Sequence, residues 1–193
     1  MAVDLKAQVL EASVALIAEA GVAGLSMREV ARRAGVSHQA PYHWFPDKES
    51  ILAALVTRGF TELADRMLEA EGGRGGVGKR LAAAGRAYVD FALERPVYFR
   101  LMFRPELVNL ARFPEAQEAG QRAYAVLERL VTERLSGKRT SPATIAAMVS
   151  LHWSVVHGLS SLLLDGALGQ RLPDAAAREA HITKTLELFA ELS

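Results

Sequence analysis

The chain has 193 residues, half of them hydrophobic, which is enough apolar material to bury a core in one large domain or two smaller ones. It contains no cysteine, and this excludes a disulfide framework, a thiolate nucleophile and a cysteine zinc site. The net charge of +1 does not by itself identify a nucleic-acid binder, so any such reading must rest on pattern.

Helix-forming residues dominate and no alternating β-branched run occurs, which predicts an all-α fold of about nine helices. Residues 1–10 lack the basic and long apolar regions of a leader, and the apolar stretch 151–168 is interrupted by His152, His157 and Asp165. A cytoplasmic protein that does not span a membrane is expected.

In chain order, Leu5, Val9, Ala12, Leu16 and Ile17 recur at helical spacing, and Gly21 supplies a stop. Ser26 and Glu29 have the spacing of a reciprocal helix start. The helix that follows buries Val30, Ala31 and Ala34, presents Arg28, Arg32 and Arg33, and closes at Gly35. Ser37 is the next candidate N-cap, so two short helices flank residues 34–37. This is the spacing of a helix-turn-helix, whose second helix enters a DNA major groove. Pro41 lies inside that second helix and removes an N–H, so the helix starts late or opens with a tighter turn.

A longer helix begins near Asp47, its candidate N-cap, and buries Ile51, Leu52, Leu55, Phe60, Leu63 and Met67. Five glycines within residues 71–78 then predict a flexible linker. Further helices are expected at about 77–94, 97–103, 114–135, 142–168 and 173–192, with Gly137 and Gly169 near two of their ends. The chain is accordingly divided into a helix-turn-helix domain (1–46), a connecting helix with its linker (47–76) and a helical body (77–193).

Residues 26–52, SMREVARRAGVSHQAPYHWFPDKESIL, resemble the tetracycline-repressor family in the helix-turn-helix and the start of the next helix. Ala34, Gly35, Val36 and Ser37 match the family's turn, Tyr42 and Phe45 its aromatic pair, and Lys48 its lysine at the head of the connecting helix. The resemblance implies that Tyr42 and Lys48 hold operator phosphates and that Ser37 and His38 lie at the groove end. It also implies that Gln39, Ala40 and His43 face base edges, with Arg28 completing the DNA-binding set. A phenol and an ammonium suit phosphate, and an amide or imidazole suits a base edge. Further along, Pro96 to Phe103 and the run Trp153 to Gly158 resemble the ligand and dimerisation domain of the branch named for Trp, His and Gly. The resemblance implies a homodimeric regulator whose partners are double-stranded operator DNA and a small apolar effector, with no cofactor.

Tyr88, Phe91, Phe99, Met102, Phe103, Tyr124, Met148, Trp153 and His157 are the candidate effector-pocket residues, and ordinary core packing accounts for the same residue types. His157 reads either as a packed, hydrogen-bonded histidine or as an effector contact. Residues 145–163 leave little polar face, and Ser150, Ser154, Gly158 and Ser161 allow another helix to approach. With Ile182, Leu186 and Phe189 they form the candidate four-helix dimer interface, the alternative being burial within one chain.

His152 and His157 lie five apart, off the spacing of a paired metal site, and no metal is expected. Residues 73–79 fall short of a phosphate-binding loop, because Arg80 stands where Ser or Thr belongs and no strand precedes them. No catalytic constellation is found and an enzyme is not expected. The alternatives are an all-helical small-molecule-binding protein or enzyme with an incidental helix-turn-helix, and a helix-turn-helix used to bind protein.

Overall fold

The structure, a computed structural model, describes residues 4–73 and 75–192. Arg74, inside the expected glycine linker, lies outside them. Among the described residues there are eight α-helices and no strand: α1 (Leu5–Ala20), α2 (Met27–Ala34), α3 (Lys48–Glu71), α4 (Val77–Glu94), α5 (Pro96–Met102), α6 (Pro114–Arg134), α7 (Pro142–Leu164) and α8 (Ala175–Leu192). Three 3-10 turns accompany them, at Val22–Gly24, Ala40–His43 and Leu110–Arg112. The second helix of the expected helix-turn-helix is the middle one of these turns, and the α-helix count is therefore eight where nine were expected.

Local chemistry sets the boundaries. The Asp4 carboxylate accepts the Ala7 N–H at 3.1 Å and opens α1, and Ser26 Oγ accepts the Glu29 N–H at 3.3 Å and opens α2. The expected return bond from Glu29 is replaced by a bond from Arg32 Nε at 3.0 Å. The reciprocal arrangement occurs instead at α3, where Ser50 N–H reaches Asp47 Oδ1 at 2.7 Å and Asp47 N–H reaches Ser50 Oγ at 3.2 Å. Gly35 closes α2 in the left-handed region (φ 66°, ψ 28°), and Val36 N–H bonds the Ala31 carbonyl at 3.1 Å. Ser141 caps α7, which ends at Leu164 before Gly166 (φ 76°), short of the expected Gly169.

The chain forms two compact units, one from Met1–Phe60 with Val97–Ala119 and the other from Thr61–Pro96 with Gly120–Ser193. In the first, α1 packs on α2, and Val9, Leu16, Val30, Phe45, Ile51 and Leu55 are buried. α5 seats in a notch at Gly59 of α3, where a Cβ would lie 2.6 Å from Met102 Sδ and 3.3 Å from Tyr98 Cβ. Phe103 meets Phe60 and Phe99 edge-on, with centroids 5.6 and 5.5 Å apart.

In the second unit α4 packs against α7 and α8. A Cβ on Gly85 of α4 would lie 3.3 Å from Val156 and 3.5 Å from Leu186, so α4 meets both helices closely at this point. α7 has 23 residues and contains an 18-residue window of mean hydropathy 1.4, long and apolar enough by length and composition to cross a membrane. Val149, His152, Val156, Leu159 and Ser160 nevertheless bury one of its faces inside this unit.

Candidate nucleic-acid interface and effector region

Pro41 shapes the exposed turn between α2 and α3. It has no N–H to return to Ser37, and the chain closes with shorter bonds: Ala40 N–H to Ser37 O at 3.0 Å, Tyr42 N–H to Gln39 O at 3.2 Å and Trp44 N–H to Pro41 O at 3.2 Å. Ser37 thus contributes its carbonyl to a 3-10 turn; as an α-helical N-cap it is corrected. Buried Pro41 and Phe45 anchor the turn, Ala40 and Trp44 are half-buried, and Ser37, His38, Gln39, Tyr42 and His43 face solvent, Tyr42 at 41% exposure. Arg28 is exposed on α2. The anchored turn exposes a phenol, an amide and two imidazoles within six residues. His38 and Tyr42 lie 5.9 Å apart between ring centroids.

Lys48, at the head of α3, donates from Nζ to the Val22 carbonyl at 2.5 Å, tying α3 to the turn between α1 and α2. Two further N–H donors remain on the ammonium. On either side of Lys48, Asp47 and Glu49 meet the Leu110–Arg112 turn. Glu49 accepts the Asn109 N–H at 2.9 Å and a bond from the Arg112 guanidinium, which also lies 3.9 Å from Asp47. Sequence reasoning missed this cluster, whose members are 60 and 63 residues apart and carry no periodic signal.

The expected pocket residues fall into two groups. Phe99, Met102 and Phe103 belong to the first unit, packed on Gly59 and Phe60. Tyr88, Phe91, Tyr124, Met148, Trp153 and His157 belong to the second. There the Trp153 indole N–H donates to the Tyr88 oxygen at 3.3 Å, and the Tyr88 hydroxyl lies 2.9 Å from His157 Nδ1. The Tyr88 hydroxyl thus joins the indole of Trp153 to the imidazole of His157 in one hydrogen-bonded chain. Burial pushes the Tyr88 phenol up, against a smaller opposing effect of the Trp153 bond, and pushes the His157 imidazole down, so both stay neutral. Tyr124 meets Trp153 edge-on at 6.2 Å, and Phe91 is fully buried under the Arg66 guanidinium at 5.8 Å. Met148 offers its carbonyl to His152 Nδ1 at 2.7 Å, and burial holds that buried imidazole low. Among the described residues no three His, Asp or Glu side chains gather as a metal site.

Of the expected interface set, Ser150 and Ser154 are exposed, and Gly158, Ser161 and Phe189 are half-buried. The Ser150 and Ser154 hydroxyls bond the carbonyls four residues back, at 3.0 and 2.7 Å, and so turn back onto α7. Ile182 and Leu186 are 2% and 5% exposed, inside the second unit. Their apolar stripe on α8 packs within the protomer, while Leu151, Leu162 and Leu188 are large apolar side chains left outside.

Comparison with known proteins bears on both regions. The profile described as "Bacterial regulatory proteins, tetR family" matches residues 9–55, and that described as "Tetracyclin repressor-like, C-terminal domain" matches residues 81–186. The chain belongs to the tetracycline-repressor family. The second description is general and does not include the Trp-His-Gly branch. An uncharacterized HTH-type transcriptional regulator of Bacillus subtilis (strain 168), YobS, is 32% identical over 91 residues, 47% of each chain, so this tetR-family chain matches about half the length of that curated relative. A protein of unknown function from Rhodococcus sp. RHA1 has a solved structure that is 30% identical, with a TM-score of 0.79, and the match covers 98% of this chain and 95% of that one. The transcriptional regulator FadR from Bacillus subtilis, solved in complex with stearoyl-CoA, shares the fold at 19% identity and a TM-score of 0.75, over 95% of this chain and 97% of that one.

Proposed function

We propose that this regulator is a cytoplasmic homodimer that represses transcription by binding operator DNA, with an affinity set by a small apolar effector. The observation that carries the reading is the exposed turn anchored by Pro41 and Phe45, which presents Gln39, Tyr42 and His43 beside Lys48 in a chain of this family. Residues 1–46 read DNA, residues 47–76 connect, and residues 77–193 bind effector and dimerise. Tyr42, Lys48 and Arg28 hold phosphates, Ser37 and His38 lie at the groove end, and Gln39, Ala40 and His43 meet base edges.

The apolar class of effector is supported by the Tyr88, Phe91, Tyr124, Trp153 and His157 cluster, and by the fold shared with a regulator solved with stearoyl-CoA. Effector acts by preferring one separation of the two reading turns, since a ligand with equal affinity for both shifts nothing. The small residues Ser150, Ser154 and Gly158 on α7, with Leu151 and Leu162 at 47% exposure each, support closure against a second copy. The role is binding and not catalysis, and Tyr88 and His157 act as neutral packed groups.

Duplex binding across a salt series tests this. Lys48→Ala lowers the salt slope by about 0.9 for each phosphate that the lysine neutralises. A lower affinity with the wild-type slope would instead leave Lys48 only its tie to Val22.

A further inference from the structure

Resting on the DNA-binding reading above, we infer that Arg112, far outside the helix-turn-helix, is a positioning residue for DNA binding: it neutralises Asp47 and Glu49, the two carboxylates that flank Lys48. The head of α3 reads Asp47-Lys48-Glu49. A phosphate brought to the N-terminal end of α3 therefore meets one lysine and two carboxylates carried by three consecutive residues. At the separations of neighbouring side chains, about 10 Å or less, such charges are not screened away at about 0.1 M salt. The Arg112 guanidinium answers both carboxylates at once, bonded to Glu49 and 3.9 Å from Asp47.

Its placement is built, not a chance meeting of surface side chains. Arg112 ends the Leu110–Arg112 turn, which Asn109 caps by accepting the Ala111 N–H on Oδ1 at 3.2 Å. The same Asn109 donates its backbone N–H to Glu49 at 2.9 Å. The guanidinium also lies 5.5 Å over the Phe113 ring. The segment carrying these residues belongs to the same compact unit as the helix-turn-helix, seated by Met102 on Gly59 and by Phe103 on Phe60. An isolated exposed ion pair does little for folding. Here its effect falls on the approach of an anion.

The test uses the full chain and a duplex that the wild-type protein selects from a random pool, with thermal unfolding to establish that each variant is folded. At about 50 mM salt, Arg112→Ala should weaken binding about three- to tenfold, with the difference shrinking as salt rises and the slope changing by much less than the roughly 0.9 of a lost phosphate contact. Arg112→Lys should keep most of the affinity. Glu49→Gln, which still accepts the Asn109 N–H, should bind at least as tightly as wild type, and Arg112→Ala with Glu49→Gln should return to within about twofold of it. The inference is overturned by an Arg112→Ala variant of wild-type affinity. It is equally overturned by a slope that drops by about 0.9, which would put Arg112 itself on a phosphate. If Arg112→Ala does not fold, Glu49→Gln decides alone: a weakened Glu49→Gln means the cluster is only a strut. A wild-type chain that binds no duplex removes the DNA-binding reading and this inference together, whereas a binding wild type with any of the preceding results removes this inference only.

Discussion

His38 and His43 stand exposed on a turn whose shape is fixed within nine residues, from Ser37 to Phe45, while His152 and His157 are drawn into a unit assembled from two separate segments, Thr61–Pro96 and Gly120–Ser193. His157 meets Tyr88 across 69 residues of sequence. The same side chain is an outward donor or acceptor in one region and a neutral packing group in the other. What separates them is the source of order: local backbone bonding around Pro41 in the first, long-range burial in the second.

The contrast can be broken most forcefully at Phe91, which is fully buried in the second unit. Phe91→Ala should cost about 3–5 kcal/mol in thermal or denaturant unfolding. The folded fraction should keep the wild-type salt slope for duplex binding, and a changed slope would show that the reading turn depends on distant packing. Tyr88→Phe removes the hydroxyl that Trp153 and His157 both bond, and should cost about 1–2 kcal/mol with little change in packing volume. Ser26→Ala sharpens the other side, with about 1 kcal/mol lost and amide exchange accelerated in α2 specifically.

The smallest effect is expected from pH. Burial holds His152 and His157 below the ordinary imidazole value of 6.5, so the folded protein binds fewer protons than the unfolded chain. Their contribution to stability is fully present above 6.5 and is lost as pH falls through the lowered folded values. Denaturant melts from neutral to acid pH should show this decline, and His157→Gln should flatten it. A stability independent of pH in that range would mean that neither ring titrates differently on folding.

Helices α1 to α4 were legible because caps and stops are written within a few residues: Ser26 before α2, Gly35 after it, Asp47 before α3. The loss of an N–H at Pro41 was equally legible, and the tighter turn is its direct result. Which apolar stripe of α8 faces inward was not, since Ile182 and Leu186 satisfy a partner subunit and the protomer's own α4 equally well as sequence. The glycine at position 85, which lies against Val156 and Leu186, carries no mark of its partners. The Arg112 cluster was invisible for a similar reason. Nothing in residues 47–49 announces a counter-charge 63 positions later.

Because the first compact unit joins Met1–Phe60 to Val97–Ala119, the order of synthesis matters. When the helix-turn-helix has left the ribosome, the notch at Gly59, the Phe60 ring and the Glu49 carboxylate still await partners encoded further downstream. With roughly sixty residues to add at about 5–20 residues per second, that interval is about 3–12 s. Throughout it the nascent first unit lacks the partners that Gly59, Phe60 and Glu49 meet in the folded chain, so translation speed across residues 61–119 sets how long that state lasts.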